Sequence, residues 1–161
     1  MLSFEELYVA YSPDVYRFAN WLAGDSKDAE DITSETFVRA WVNFSTIRTE
    51  TLKAYLFTIA RNIYLESLRK KQDHMELNEA HADPRPKPEK LFEQKSELDQ
   101  VRKILLALPE IDRSAFVMRV QYDLSYAEIA RVLQISEGAA KVKVHRVRKL
   151  LFNIHSKKEK P

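Results

Sequence analysis

The chain has 161 residues, a formal net charge of +2, no cysteine and only two glycines, Gly24 and Gly138. The length suits one ordinary domain or two small ones, and the missing thiols exclude disulfide staples and thiolate metal sites while fitting a reducing compartment. Two isolated glycines exclude the clustered-glycine loops through which backbone approaches a nucleotide phosphate, and the abundance of Ala, Leu, Glu, Lys and Arg predicts an all-α protein.

The first residues, MLSFEELYVAYSPDVYRF, lack a basic stretch followed by an apolar core, so no signal peptide is expected. No apolar run reaches the ~18 residues of a membrane span. The small net charge hides a segregation. Residues 1–50 carry nine acids and four bases, residues 51–72 one acid and five bases, and residues 141–161 one acid and eight bases. Residues 73–100 are acidic again, and residues 101–140 balance. Such blocks predict several charged partners, or one partner with several faces.

Ser3 and Glu6 have capping-box spacing for a first helix. A second helix is predicted from Asp25, which can cap it. Its apolar stripe runs Ala29, Ile32, Thr36, Ala40 and Phe44, widened by Phe37 and Trp41. A third amphipathic segment spans about residues 52–71. Leu56, Ile59, Ile63 and Leu68 are expected inside, and Lys53, Arg61, Asn62, Arg69 and Lys70 outside. Asp73 to Gln94 is polar and acidic and holds Pro84, Pro86 and Pro88, where helix is excluded and extended chain expected. The fold expected is therefore two small helical domains, residues 1–72 and 96–155, joined by a flexible linker at 73–95 and followed by a basic tail at 156–161.

In the second domain Leu98, Val101, Leu105 and Leu108 form one stripe, and Pro109 ends that helix and opens the next. Ser125 and Glu128 make a second capping box ahead of YAEIARVL. A three-residue turn, QIS, follows, and Ser136 can cap a last helix reaching about Phe152. Two short helices across such a turn form a helix-turn-helix. Tyr126, Ile129, Ala130 and Leu133 face inward on the first helix, and Ala140, Val144, Val147 and Leu151 on the second. Lys141, Val142, His145 and Arg148 are left on the far side, with Lys143 and Arg146 flanking. Gly138 and Ala139 at the helix entry would let backbone approach a phosphate or a base edge. A helix that merely solvates its surface also carries cations, and Lys149, Lys157, Lys158 and Lys160 read that way.

Two further constellations accompany it. In DAEDITSETFVRAW, Asp31 and Glu35 share a helix face with Asp28 one turn earlier. The plain reading is a solvated face with acids near a helix start, and with no histidine or loop carboxylate beside them no metal site is expected. In AYLFTIARNIYLESLRKK, Tyr55, Phe57 and Tyr64 interleave with Arg61, Asn62, Arg69 and Lys70. Aromatics can stack on unpaired bases while cations track a single strand, although each aromatic could equally be core.

In this order, the three blocks resemble the extracytoplasmic-function, or group IV, class of the sigma-70 family of bacterial transcription initiators. DAED..SETFVRAW is similar to that family's region 2.2 and AYLFTIARNIYLESLRKK to its regions 2.3 to 2.4. LPEIDRSAFVMRVQYDLSYAEIARVLQISEGAAKVKVHRVRKLL is similar to region 4. The resemblance covers residues 3–72 and 96–152 and implies a promoter-specificity subunit of RNA polymerase. It implies that Asp28, Glu30, Asp31 and Glu35 meet the β′ coiled coil of the core enzyme. The −10 element would fall to Ser45, Lys53, Arg61, Asn62 and Arg69, and the −35 element to Ala139, Lys141, Val142, Lys143, His145 and Arg146. The β flap, promoter DNA and an anti-sigma factor are the remaining partners implied, in the cytoplasm, with no cofactor, no small-molecule substrate and no active site. Ser34 stands where the family commonly has glutamine. Ala139 and Val142 stand where hydroxyl residues are frequent, which predicts thymine-methyl contacts in place of hydrogen bonds to base edges. A free-standing helix-turn-helix repressor would explain residues 96–155 but leave the first domain idle. A small helical enzyme has little in its favour, because His74, His81, His145 and His155 lack metal-ligand spacing.

Overall fold

The computed structural model describes residues 2–47, 51–77 and 96–159, which form seven α-helices and one short 3-10 helix. Helix α1 (Phe4–Ala23) starts where Ser3 Oγ accepts from the Glu6 N–H at 3.1 Å. It stops at Gly24, whose φ of 72° turns its N–H back to the Asn20 carbonyl, a conformation that favours glycine. Asp25 caps α2 (Ser26–Val42) by accepting from the Asp28 N–H. The 3-10 turn Phe44–Thr46 follows, and α3 is Leu52–Leu77. Beyond the proline-bearing segment lie α4 (Glu97–Ala107), α5 (Glu110–Val120), α6 (Tyr126–Leu133) and α7 (Glu137–Glu159).

Helices α1, α2 and α3 pack together around Leu7, Val15, Phe18, Leu22, Ile32, Phe37, Leu56 and Phe57. Each such side chain contributes roughly 1.5–3 kcal/mol by leaving water. Helices α5, α6 and α7 surround Val117, Met118, Ile129, Leu133 and Val144. The two groups are continuous. Helix α3 also meets α6, and α1 meets α5. Phe57 stacks on Phe18 at 4.3 Å between ring centres and takes Tyr122 of the second group edge-on at 4.9 Å. Burial and the nearby Asp14 carboxylate push the Tyr122 phenol well above its ordinary pKa.

Several expectations are corrected. Helix α3 continues to Leu77, past the linker boundary set at residue 73, because Asp73 to Leu77 contains no breaker and the next proline along the chain is Pro84. Pro84, Pro86 and Pro88 lie outside the described residues. Helix α7 runs through the tail to Glu159. Leu68, expected inside, is exposed: α3 has 26 residues against 17 in α2, so its last turns outrun the helices that cover it. Leu98 is 81% exposed, because α4 reaches the core only through its C-terminal half at Leu105. Trp41, assigned to the inner stripe of α2, is 62% exposed and stands edge-on against Phe4 at 4.8 Å.

Candidate nucleic-acid interface

Local chemistry builds the helix-turn-helix as the residues predict. Ser125 Oγ accepts from the Glu128 N–H, and Glu128 Oε1 accepts from the Ser125 N–H, a complete capping box. Gln134 turns the chain at φ 57°, and the Ile135 N–H donates back to the Ala130 carbonyl at 3.0 Å. Ile135 packs on the core from beneath the turn. Ser136 Oγ then accepts from the Ala139 N–H at 3.0 Å and opens α7. Ala140, Val144 and Val147 are buried, so the outer face is fixed by the helical period. A side chain at Gly138 would meet only Ser136 Oγ, at 4.0 Å, so packing does not demand glycine there and the helix entry is open.

On that face Lys141, His145 and Arg146 are exposed, Val142 is 47% exposed, and Ala139 is half-buried. Lys143 is drawn inward: its Nζ donates to Asp112 Oδ1 on α5 at 3.0 Å. Tyr126 does more than fill the inner stripe. Its ring lies 5.6 Å from Lys141 Nζ and 4.6 Å from the Arg119 guanidinium, while Arg119 also donates to the Leu124 carbonyl. These cation–π contacts, worth about 0.5–1 kcal/mol each at exposed sites, gather two cations on the Tyr126 ring, one of them, Lys141, on the outer face of α7. Nothing in the local spacing of the sequence pointed to Arg119.

Helix α2 presents a second face. Glu30, Asp31 and Glu35 are exposed; Asp28 is half-buried, with Lys71 Nζ 3.6 Å from its Oδ2. Arg39 Nε donates to Glu35 Oε1 at 3.2 Å, and its Nη1 and Nη2 fork Glu66 of α3 at 3.3 and 2.9 Å. The hydrogen bonds from Arg39 hold the Glu66 carboxyl below the usual carboxylate range, and Glu66 in turn raises Arg39. Val38, Trp41 and Val42 are exposed large apolar side chains. They continue the Asp31–Glu35 stripe at helical spacing, so one face changes from acidic to apolar along its length. The positions 31, 35, 38 and 42 carried that signal in the sequence, but with Trp41 assigned inward it was missed.

The −10 candidates are divided. Ser45, Asn62 and Arg69 are exposed. Lys53 Nζ lies 3.3 Å from Asp14 Oδ2 and 5.7 Å from the centre of the Tyr122 ring. Arg61 is bound across the domain boundary, its Nε and Nη2 donating to Glu110 Oε1 and Oε2 at 2.7 and 3.0 Å. Among the aromatics of this block Phe57 is fully buried and cannot meet a base, while Tyr55 and Tyr64 are half-buried. Among the described residues no three His, Asp or Glu side chains are grouped to hold a metal, and no helix is long and apolar enough to cross a membrane.

Comparison with known proteins places these faces in order along two family regions. Residues 7–74 match Sigma-70 region 2 and residues 98–151 match Sigma-70, region 4. The ECF RNA polymerase sigma factor SigE of Mycolicibacterium smegmatis is 31% identical over 94% of this chain, which spans 61% of that protein's length. The ECF RNA polymerase sigma factor SigL of Mycobacterium tuberculosis is 31% identical over 86% of this chain and 81% of its own. In solved structures, the sigma factor RpoE of Bartonella quintana, crystallised with the anti-sigma factor NepR, has the same fold at a TM-score of 0.79. It covers 95% of this chain and 96% of its own at 24% identity.

Proposed function

Because this chain belongs to the extracytoplasmic-function class of the sigma-70 family, we propose that it directs core RNA polymerase to a set of promoters through three faces. Asp28, Glu30, Asp31 and Glu35 on α2 dock on the β′ coiled coil, a surface that must present bases, and region 4 seats on the β flap. Ser45, Lys53, Arg61, Asn62 and Arg69 serve the −10 element. Ala139, Lys141, Val142, Lys143, His145 and Arg146 serve the −35 element, with α7 in the major groove. An anti-sigma factor is the expected regulator, and the cytoplasm is the expected compartment.

The roles follow from chemistry. Lys141 and Arg146 hold phosphate oxygens and fix the register of α7, which supplies affinity without sequence choice. Val142 offers a methyl-to-methyl contact with thymine, and His145 a hydrogen bond to a base edge. Strand opening needs no nucleotide hydrolysis: unpaired bases are trapped on a prepared surface, and the polymerase carries out synthesis. The observation that carries the reading is the order of the matches, with region 2 bearing the acidic face and region 4 the helix-turn-helix on one chain.

Gel filtration with core polymerase, followed by electrophoretic shift on a pool of promoter fragments, tests it. The chain should co-elute with core, and only the complex should select a subset of fragments. Selection of duplex by the chain alone, without association with core, would instead make it a free-standing helix-turn-helix repressor.

A further inference from the structure

Glu35 and Glu66 share one guanidinium. Arg39 Nε donates to Glu35 Oε1 at 3.2 Å, while Nη1 and Nη2 donate to Glu66 Oε1 and Oε2 at 3.3 and 2.9 Å. Glu35 and Arg39 stand one turn apart on α2, and Glu66 reaches them from α3. An arginine one turn after a glutamate can close its planar fork on that carboxylate and cover both oxygens. Here both terminal nitrogens go to Glu66 instead. Glu35 accepts a single bond, and among the described residues its Oε2 accepts none.

Stability does not account for this arrangement. Arg39 and Glu66 are both more than a third exposed, and an ion pair so exposed contributes little to a fold. Helices α2 and α3 are already joined by buried Ile32, Phe37, Leu56 and Phe57. What the pair sets is direction and charge. Hydrogen bonds from Arg39 hold the Glu66 carboxyl below the usual range, so it is ionised at neutral pH. Glu35, Arg39 and Glu66 then carry one net negative charge together; without Glu66 they would carry none. Glu66 lies one turn from Asn62 and from Arg69 on the helix assigned to the −10 element, where the sequence gave it no part in docking.

We propose that Glu66 is a positioning residue for the docking carboxylate of Glu35: by taking the Arg39 fork it keeps Arg39 from covering Glu35 and leaves one oxygen open to a basic group of core polymerase. The proposal rests on the reading of Glu35 as a core-polymerase contact. Its consequence is that an α3 side chain which need not touch the polymerase sets the affinity of the α2 face.

The test is competition of the full chain, against labelled parent chain, for core polymerase. Glu66→Gln keeps the size and a hydrogen-bonding end but removes the charge, which frees the Arg39 fork for Glu35. It should weaken binding roughly fivefold, on the scale of one exposed charged contact, with little change in the thermal melt. The loss should persist at an ionic strength high enough to screen a distant charge. Adding Arg39→Gln to Glu66→Gln uncovers Glu35 again and should return binding to within about twofold of the parent. A merely structural tie between α2 and α3 would leave this double variant as weak as the single one. In a Glu35→Gln background, Glu66→Gln should have no further effect. Unchanged binding in Glu66→Gln, a loss that vanishes in salt, or a double variant that stays weak overturns the positioning role. Unchanged binding in Glu35→Gln alone removes Glu35 from the docking face, an outcome read separately from the other three.

Discussion

Arg113 Nε donates to the carbonyl of Trp21 at 2.7 Å, so a cation of region 4 caps the end of the first helix of region 2. Its Nη2 reaches the Leu22 carbonyl, also at 2.7 Å, and its Nη1 the Leu108 carbonyl at 2.8 Å. Helix α1 has no basic residue in its last turn, and Arg113, only 6% exposed, supplies the missing positive charge from another domain. Arg113→Met should therefore cost about 2–4 kcal/mol, through carbonyls left without donors in the seam. Urea unfolding followed by tryptophan fluorescence should show a lower midpoint, because Trp21 lies at that seam. An unchanged midpoint would show that the seam carries no stability.

Charge reversal at Asp31 and Glu35 should weaken association with core polymerase by roughly tenfold or more, through loss of charge complementarity. Both side chains are exposed, and the one pair lost, Glu35 with Arg39, is a surface pair, so the thermal melt should shift only slightly. Trp41→Ala should also weaken association, since the apolar end of the stripe adjoins the acids. Competition of labelled chain for core enzyme reads all three variants.

In the complex with core, Arg146→Ala and Lys141→Ala should each lower the log–log salt slope of promoter binding by about one unit, the signature of one lost phosphate contact. Val142→Thr should alter base preference at a single −35 position and leave the slope alone. Salt titrations on matched and mismatched promoters separate the two effects.

Glu66 gives the α2–α3 ion pair a pH dependence with a definite sign. Its folded carboxyl is held below the ordinary 4.5, mainly by hydrogen bonds from Arg39, so its contribution is present above pH 4.5. It disappears as the pH falls from 4.5 through the lower folded value. Both partners are more than a third exposed, so the effect is small, about 0.5 kcal/mol. Glu66→Gln should be slightly less stable than the parent at pH 7, and the two should converge in acid; paired urea titrations at both pH values check this.

The helix-turn-helix was legible because its signals are local. The Ser125–Glu128 box, the turn and the 4-3 spacing of Ala140, Val144 and Val147 all lie within one short stretch, and each is where the residues predict. The seam was not legible. Arg113 bonds carbonyls 92 and 91 positions away, and Arg61 finds Glu110 across 49, so no periodicity relates them. Arg61 and Lys53 could be read as outward cations, but not as cations already held by Glu110 and Asp14. Trp41 misled for another reason: α2 has apolar side chains on two faces, and composition does not say which face another helix covers.

Transcription in vitro tests the central claim most directly. Purified core polymerase, with and without this chain, is given a pool of promoter fragments, and the 5′ ends of the transcripts are mapped. The account predicts new start sites that depend on the chain and share two upstream elements, with starts lost when Asp31 and Glu35 are reversed together. The same start sites with and without the chain, or chain-dependent repression alone, would contradict it.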